Sequence, residues 1–227
     1  MSSSSIGPRG TSRATVDQEP GLRERKKQRT RQLIAETARA LFVERGFDAV
    51  TVAEVARHAE VSEATVFNYF QTKEDLVFQG MQAFEAEMLD AVRSRPAGTS
   101  IVSSFGRFAL KPRGLLVAED EASADLLSGV ARLIATSPAL MVRQREILAS
   151  YTAALAAVIA DETGSDSEDC RVWVVAHALI GLHQSLIVFV HRRLVHGSAD
   201  HVQLAKEVRS QGQRALKLLE QGLAGYG

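Results

Sequence analysis

A single cysteine, Cys170, stands in a chain of 227 residues. No disulfide can form within the chain, which fits a reducing compartment. Cys170 itself reads as a small core residue of an apolar helix. No segment alternates apolar and polar residues at period two for any length, so strands are not expected. Net charge is also missing: 27 basic residues face 27 acidic ones. That excludes a chain that attracts polyanions by its overall charge. The N-terminal MSSSSIGPRGTSRATVDQEPG has no apolar h-region and does not read as a signal peptide. Its Ser, Gly and Pro content points instead to a disordered tail over residues 1–20. One stretch, VWVVAHALIGLHQSLIVFVH from Val172 to His191, is about long enough to cross a bilayer. His177, His183, Gln184 and His191 would each be costly in lipid, so a buried helix of a soluble protein is the favoured reading.

The usual signs of catalysis are absent too. There is no Gly-rich phosphate loop, nucleophile elbow or paired-carboxylate motif. His177, His183, His191, His196 and His201 lack H-x3-H or HExxH spacing. His177 and His191 lie about 21 Å apart along a helix, too far to share a metal. No enzyme, metal or cofactor is expected.

What the sequence does contain is helical periodicity. A first helix is expected from Leu22 to Arg45, with Leu33, Ile34, Thr37, Ala38, Leu41 and Phe42 as its stripe and Gly46-Phe47 as its stop. A helix from Lys73 to about Arg95 carries Leu76, Val77, Met81, Phe84, Met88 and Val92, and runs unbroken through Gly80 as a candidate lever. Further helices are expected over Ser100–Leu110 and from Glu119 to Thr136. Ser137-Pro138 restarts the chain as N-cap and N1 proline, and that helix runs to Thr163 with Gly164 as stop. Another runs from Ser167–Asp169 to His196 with Gly197 as stop, and the last is capped by Ser198. The chain reads as all-α, with about nine helices.

The stretch TVAEVARHAEVSEATVFNYFQTK, Thr51–Lys73, is the most informative. Thr51 and Glu54 form a T-x-x-E capping box. Val52, Val55, Ala56 and Ala59 recur on one face, and Glu60-Val61-Ser62 makes a turn with Ser62 as the next N-cap. On the second helix Val66 and Phe70 share an inward face, while Ala64 and Asn68, flanked by Thr65 and Phe67, lie opposite. A buried helix, a three-residue turn and a short helix with a small, amide-bearing outer face form the pattern of a DNA-reading helix-turn-helix. Ala and the Thr methyl can touch a thymine methyl, and Asn can pair with adenine. Just upstream, LRERKKQRTR over Leu22–Arg31 holds six cations and one anion. Arg25, Lys26 and Arg29 are candidates for phosphate contact from that basic run.

The later half is read from burial. The helix over Cys170–Leu194 is apolar nearly all round, so it needs cover from its own domain and from a second subunit. Ala205, Gly212 and Ala215 in the last helix would permit close approach, giving a four-helix interface in a symmetric homodimer.

The residues from Phe42 to Leu76, FxxxGFDAVTVAEVARHAEVSEATVFNYFQTKEDL, also resemble the N-terminal domain of the TetR family of bacterial transcriptional regulators. The carrying pieces are Gly46-Phe47, Thr51–Ala56, Val61-Ser62, Thr65-Val66-Phe67-x-Tyr69-Phe70 and Lys73–Leu76. The resemblance covers about residues 25–80. It implies three parts: a tail over 1–20, a DNA-binding domain over 21–80, and an effector-binding and dimerisation domain over 81–227. It implies phosphate contacts from Thr51, Ser62, Tyr69 and Lys73, and base-facing roles for Ala64, Thr65 and Asn68, with Phe67 beside them. Three positions depart from the family pattern. Glu60 replaces a frequent Gly, Phe67 a frequent Tyr, and Glu63 a frequent Lys. Glu63 is either a first-turn carboxylate favoured by the helix dipole or an acceptor from cytosine.

By the same resemblance, the protein is expected to be a cytoplasmic repressor that leaves a palindromic operator on double-stranded DNA when a small hydrophobic effector binds. An activator, a ligand-independent regulator and a scaffold that does not bind DNA are the alternatives. Candidate effector-lining residues are Phe84, Met88, Phe105, Phe108, Leu133, Met141, Tyr151, Trp173, His177 and Gln184, apolar walls with a few polar tips.

Overall fold

The computed structural model describes residues 21–117, 120–196 and 200–222. Among these it holds nine α-helices, two 3-10 turns and no strand. The tail over 1–20, Glu119, Gly197 and Ser198 lie outside the described residues, as do the expectations placed on them.

Helix α1, Leu22–Arg45, ends where Gly46 takes φ 89° and its N–H bonds back to the Phe42 carbonyl. The Phe42 and Phe47 rings meet edge-on at 5.1 Å, so the expected hydrophobic contact closes the stop. Helix α2, Val52–His58, begins with the full capping box: the Thr51 hydroxyl accepts from the Glu54 N–H, and Glu54 accepts from the Thr51 N–H. Helix α3, Glu63–Tyr69, is capped by Ser62, whose hydroxyl accepts from the Thr65 N–H. Ile34, Phe42, Val50, Val55, Val66 and Leu76 pack together as the fully buried centre of this three-helix head.

The head's core does not stop at the head. Val130, Ile134 and Leu140 belong to the same buried cluster. They come from α6, Glu121–Thr136, and from the start of α7, Pro138–Thr163. At Gly129 on α6 the approach is so close that an added Cβ would stand 2.5 Å from Val43 Cγ1 of α1.

The expected lever is broken. Thr72 and Asp75 make their reciprocal capping bonds, yet only a 3-10 turn follows, Glu74–Leu76. Gly80 then adopts φ 96° and starts a separate helix, α4, Met81–Arg93. Val77 and Phe78 drop into the head core instead of continuing a helical stripe. A glycine free to take a left-handed conformation allows this break at little cost. Periodicity across it misled because both sides are apolar.

The remaining helices are α5, Ile101–Ala109, α8, Cys170–His196, and α9, His201–Gln221. Asp200 supplies the last N-cap, accepting from the Val202 N–H at 2.9 Å. Helices α4, α5, α7 and α8 enclose a second core around Met88, Phe105, Tyr151, Leu155 and Leu179. Cys170 is exposed at the first residue of α8, ahead of the helix's buried body, and is not a core residue. Gly212 of α9 is filled from within the chain: a Cβ there would stand 2.1 Å from Leu110 Cδ2. The small stripe of α9 therefore lets α9 approach its own chain at this position, not a partner.

Candidate nucleic-acid interface

Helix α3 buries Val66 and sets Phe70 beneath its end, which turns the other side outward. Ser62, Glu63, Ala64, Phe67 and Asn68 are exposed, and Thr65 is half-buried. Phe67 keeps 51% of its surface in solvent. A large apolar ring left exposed beside an amide suits contact with thymine methyls in a groove. Tyr69 is half-buried against the head core.

The basic end of α1 lies alongside this face. A groove of about 800 Å³ is lined by Gly21 and, from α1, Arg23, Glu24, Lys26, Lys27 and Thr30, and by Thr65, Asn68 and Tyr69 from α3. Lys26 is there as expected from the sequence. Arg25 and Arg29 do not line the groove, and Arg23, Lys27 and Thr30 do. Residues 23, 26, 27 and 30 are spaced i, i+3, i+4, i+7, so the helical period brings three cations and Thr30 to one face.

Two proposed phosphate contacts have partners inside the head. The Thr51 hydroxyl and N–H are both engaged by Glu54, which Arg45 also holds at 2.9 Å. The Thr51 N–H, then the Arg45 guanidinium, hold the Glu54 carboxyl at about 2. Lys73 donates to the Phe47 carbonyl at 2.6 Å, and its ammonium lies 4.3 Å from the Phe47 ring centre. An ammonium has three donors, so a phosphate would share Lys73 with that lock. In the turn, Glu60 adopts φ 56°, a left-handed conformation that a side chain disfavours.

The C-terminal domain gathers only part of the expected effector set. Met88, Phe105, Phe108 and Tyr151 are buried in the second core, with Phe84 packed against them. Phe84 stacks on Tyr151 at 5.7 Å and lies 5.1 Å from Phe108. Burial, and secondarily Glu85, pushes the Tyr151 phenol up. That phenol donates to the Met81 carbonyl at 2.7 Å.

The other five candidates lie elsewhere. Leu133 packs against the head core, and Met141 is 39% exposed at the start of α7. Trp173, His177 and Gln184 face outward on α8. Trp173 donates to the Ser167 carbonyl at 2.9 Å, and His177 bonds to the Trp173 carbonyl. The inward stripe of α8 runs Val172, Ala176, Leu179, His183, Leu186. His183, one residue from Gln184, is the polar group that reaches the aromatic cluster, stacked on Phe84 at 4.9 Å. Because α8 is apolar on several faces, hydropathy does not single out the inward one.

The comparisons with known proteins bear on the whole arrangement. Residues 34–79 match the bacterial regulatory proteins of the tetR family, and residues 118–223 match the MftR C-terminal domain. The HTH-type transcriptional regulator TcmR of Streptomyces glaucescens is 30% identical over 156 residues, 66% of this chain and 67% of that protein. The chain belongs to the TetR family. Its function is that of a TetR-family DNA-binding transcriptional regulator and not of an enzyme. The TetR fold is also shared with solved structures. A TetR-family regulator of Syntrophomonas wolfei superposes with a TM-score of 0.53 at 19% identity, covering 88% of this chain and 100% of that one. NalD, the secondary repressor of the MexAB-OprM multidrug efflux pump in Pseudomonas aeruginosa, gives 0.53 at 18% identity, covering 83% and 97%.

Proposed function

We propose that the protein is a cytoplasmic homodimeric repressor that occupies a palindromic operator and is released by a small, mostly apolar effector. The observation that carries the DNA half is the shared groove: the basic face of α1 and the outer face of α3 line one channel. Ala64, Thr65 and Asn68, with Phe67, read base edges. Ser62, Tyr69, Lys73 and the first turn of α2 at Thr51 position the phosphate backbone, flanked by the cations of α1. Glu63 acts as a first-turn carboxylate on α3, favoured by the helix dipole.

The dimer rests on α8. In its most apolar 18-residue stretch, within Cys170–Leu194, 33% is buried by this chain. By length and composition α8 is the one described helix apolar enough to cross a membrane. Trp173, Val174 and Val188 remain exposed along it. A twofold partner would cover that face by setting α8 against its copy. Repression relieved by an effector follows if the effector binds the DNA-incompetent arrangement better than the DNA-bound one, by the coupling energy between the two sites.

Footprinting on a DNA site selected from a random-sequence pool tests the reading. The expected result is two equal half-sites with centres roughly one helical turn apart or a little more. Affinity should fall steeply with salt. A single unpaired half-site, or salt-independent binding, would overturn it.

A further inference from the structure

The aromatic cluster of the second core holds one cation and one imidazole that the fold does not use up. Arg113 stands between α5 and the 3-10 turn Gly114–Val117. Its guanidinium lies 4.1 Å from the Phe108 ring centre and 5.5 Å from that of Phe84. The Nη1 end is tied down, donating to the carbonyls of Phe108 at 2.7 Å and Lys111 at 3.2 Å. The opposite edge, Nε and Nη2, has no hydrogen-bond acceptor among the described contacts. It meets only Glu87, 3.7 Å away on a side chain that is 61% exposed. That edge is the fork that receives a carboxylate with two parallel bonds.

His183 approaches the same cluster from α8. Its ring stacks on the far member, Phe84, at 4.9 Å, and neither ring nitrogen has a hydrogen-bond partner among the described residues. Burial, and then the Arg113 charge, holds the imidazole down at about 4, so at neutral pH it carries one donor and one acceptor. His183 is half-buried and its ring nitrogens are within reach of solvent, so they are free to meet a ligand or water.

We infer that the effector is a hydrophobic carboxylic acid, its apolar body among Phe84, Phe108 and Tyr151 and its carboxylate on the open edge of Arg113, with His183 as a second polar contact. The inference rests on the effector reading above and narrows it to a chemical class. The carboxylate displaces Glu87, which swings into solvent, and the body enters by parting Arg113 from the two rings it covers. Phe84 lies in the first turn of α4, and Tyr151 holds the backbone of that turn at Met81. A ligand that separates these rings therefore moves the helix that follows directly on the head.

The test uses the full chain, followed by thermal shift and calorimetry. The probes are decanoate and 2-naphthoate against decanamide, 2-naphthamide and decylamine. The acids are expected to stabilise the protein and to bind at least tenfold more tightly than their amides. Glu87→Gln, at an exposed position, should tighten the acids several-fold by removing a competing carboxylate. Arg113→Gln should abolish the acid preference, and Arg113→Lys should keep part of it. A role for Arg113 confined to closing its loop would lower the melting temperature of both variants and leave selectivity unchanged. Amides or the amine binding as well as the acids would overturn the carboxylate assignment and leave the effector reading standing. No response to any probe would overturn the assignment of this cluster as a site for hydrophobic acids.

Discussion

At the scale of single residues, several side chains hold conformations or charges that the sequence leaves ambiguous. Glu60 in the helix-turn-helix turn sits at φ 56°. Glycine removes that strain, so Glu60→Gly is expected to stabilise the protein by about 0.5–1 kcal/mol, read from urea midpoints. Asn68 and Lys73 should separate cleanly. Asn68→Ala is expected to cost about 1–3 kcal/mol of binding and to relax preference at one base. Lys73→Ala should weaken all DNA sequences alike, and it should also lower stability by about 1–2 kcal/mol through its lost bond to Phe47. Selection profiles and denaturation curves distinguish the two. His183 gives a pH dependence. Its folded pKa is depressed to about 4, against about 6.5 for an exposed imidazole. The unfolded chain takes up the proton first, so this contribution is intact above about pH 6.5 and is lost as pH falls toward 4. The melting temperature should drop over that window, and His183→Phe should flatten the drop.

At the scale of elements, the caps were readable because each depends on a few adjacent residues. Thr51 with Glu54, Ser62, and Ser137 before Pro138 all cap as their spacing implies. The break at Gly80 was not readable, since apolar residues continue on both sides and only the tertiary fold pulls Val77 and Phe78 into the head. The junction it creates has a specific fastening. Asp75 caps Thr72 just after the reading helix and also accepts from Arg143 of α7 at 2.8–3.0 Å. Glu146 first, and Asp75 with it, holds the Arg143 guanidinium well in its charged form. Asp75→Asn weakens the pair while keeping an acceptor for the cap. It is expected to reduce the effector's influence on DNA affinity by several-fold, with the DNA affinity of the effector-free protein changed less. Titrations with and without effector check this.

At the scale of the whole molecule, the helix count and the all-α class were plain from periodicity. The direction each apolar face points was not. Helix α8 is the clear case: Trp173, His177 and Gln184 turn outward while His183 turns in. Only packing against α7 and α9 decides between faces of similar hydropathy. The outward face gives a test of assembly. Val174 is 60% exposed on α8. Val174→Glu should leave the fold intact and raise the dimer dissociation constant by about 10–100-fold, as charge is forced into a covered apolar centre. Light scattering across a concentration series measures it. Binding to a full palindrome should weaken in step, while binding to an isolated half-site should not.

Besides the core they share, the head and the body are joined at two contacts. One is the α1–α6 contact at Val43 and Gly129, and the other is the Asp75–Arg143 pair beneath the 3-10 turn. A rigid piece fixed along one line can still swing about it; fixed along two lines that do not coincide, it cannot. Opening either contact alone would leave the other, and the buried core the two parts share, to hold the head, so a ligand that is to turn the reading helix has to loosen more than one of them.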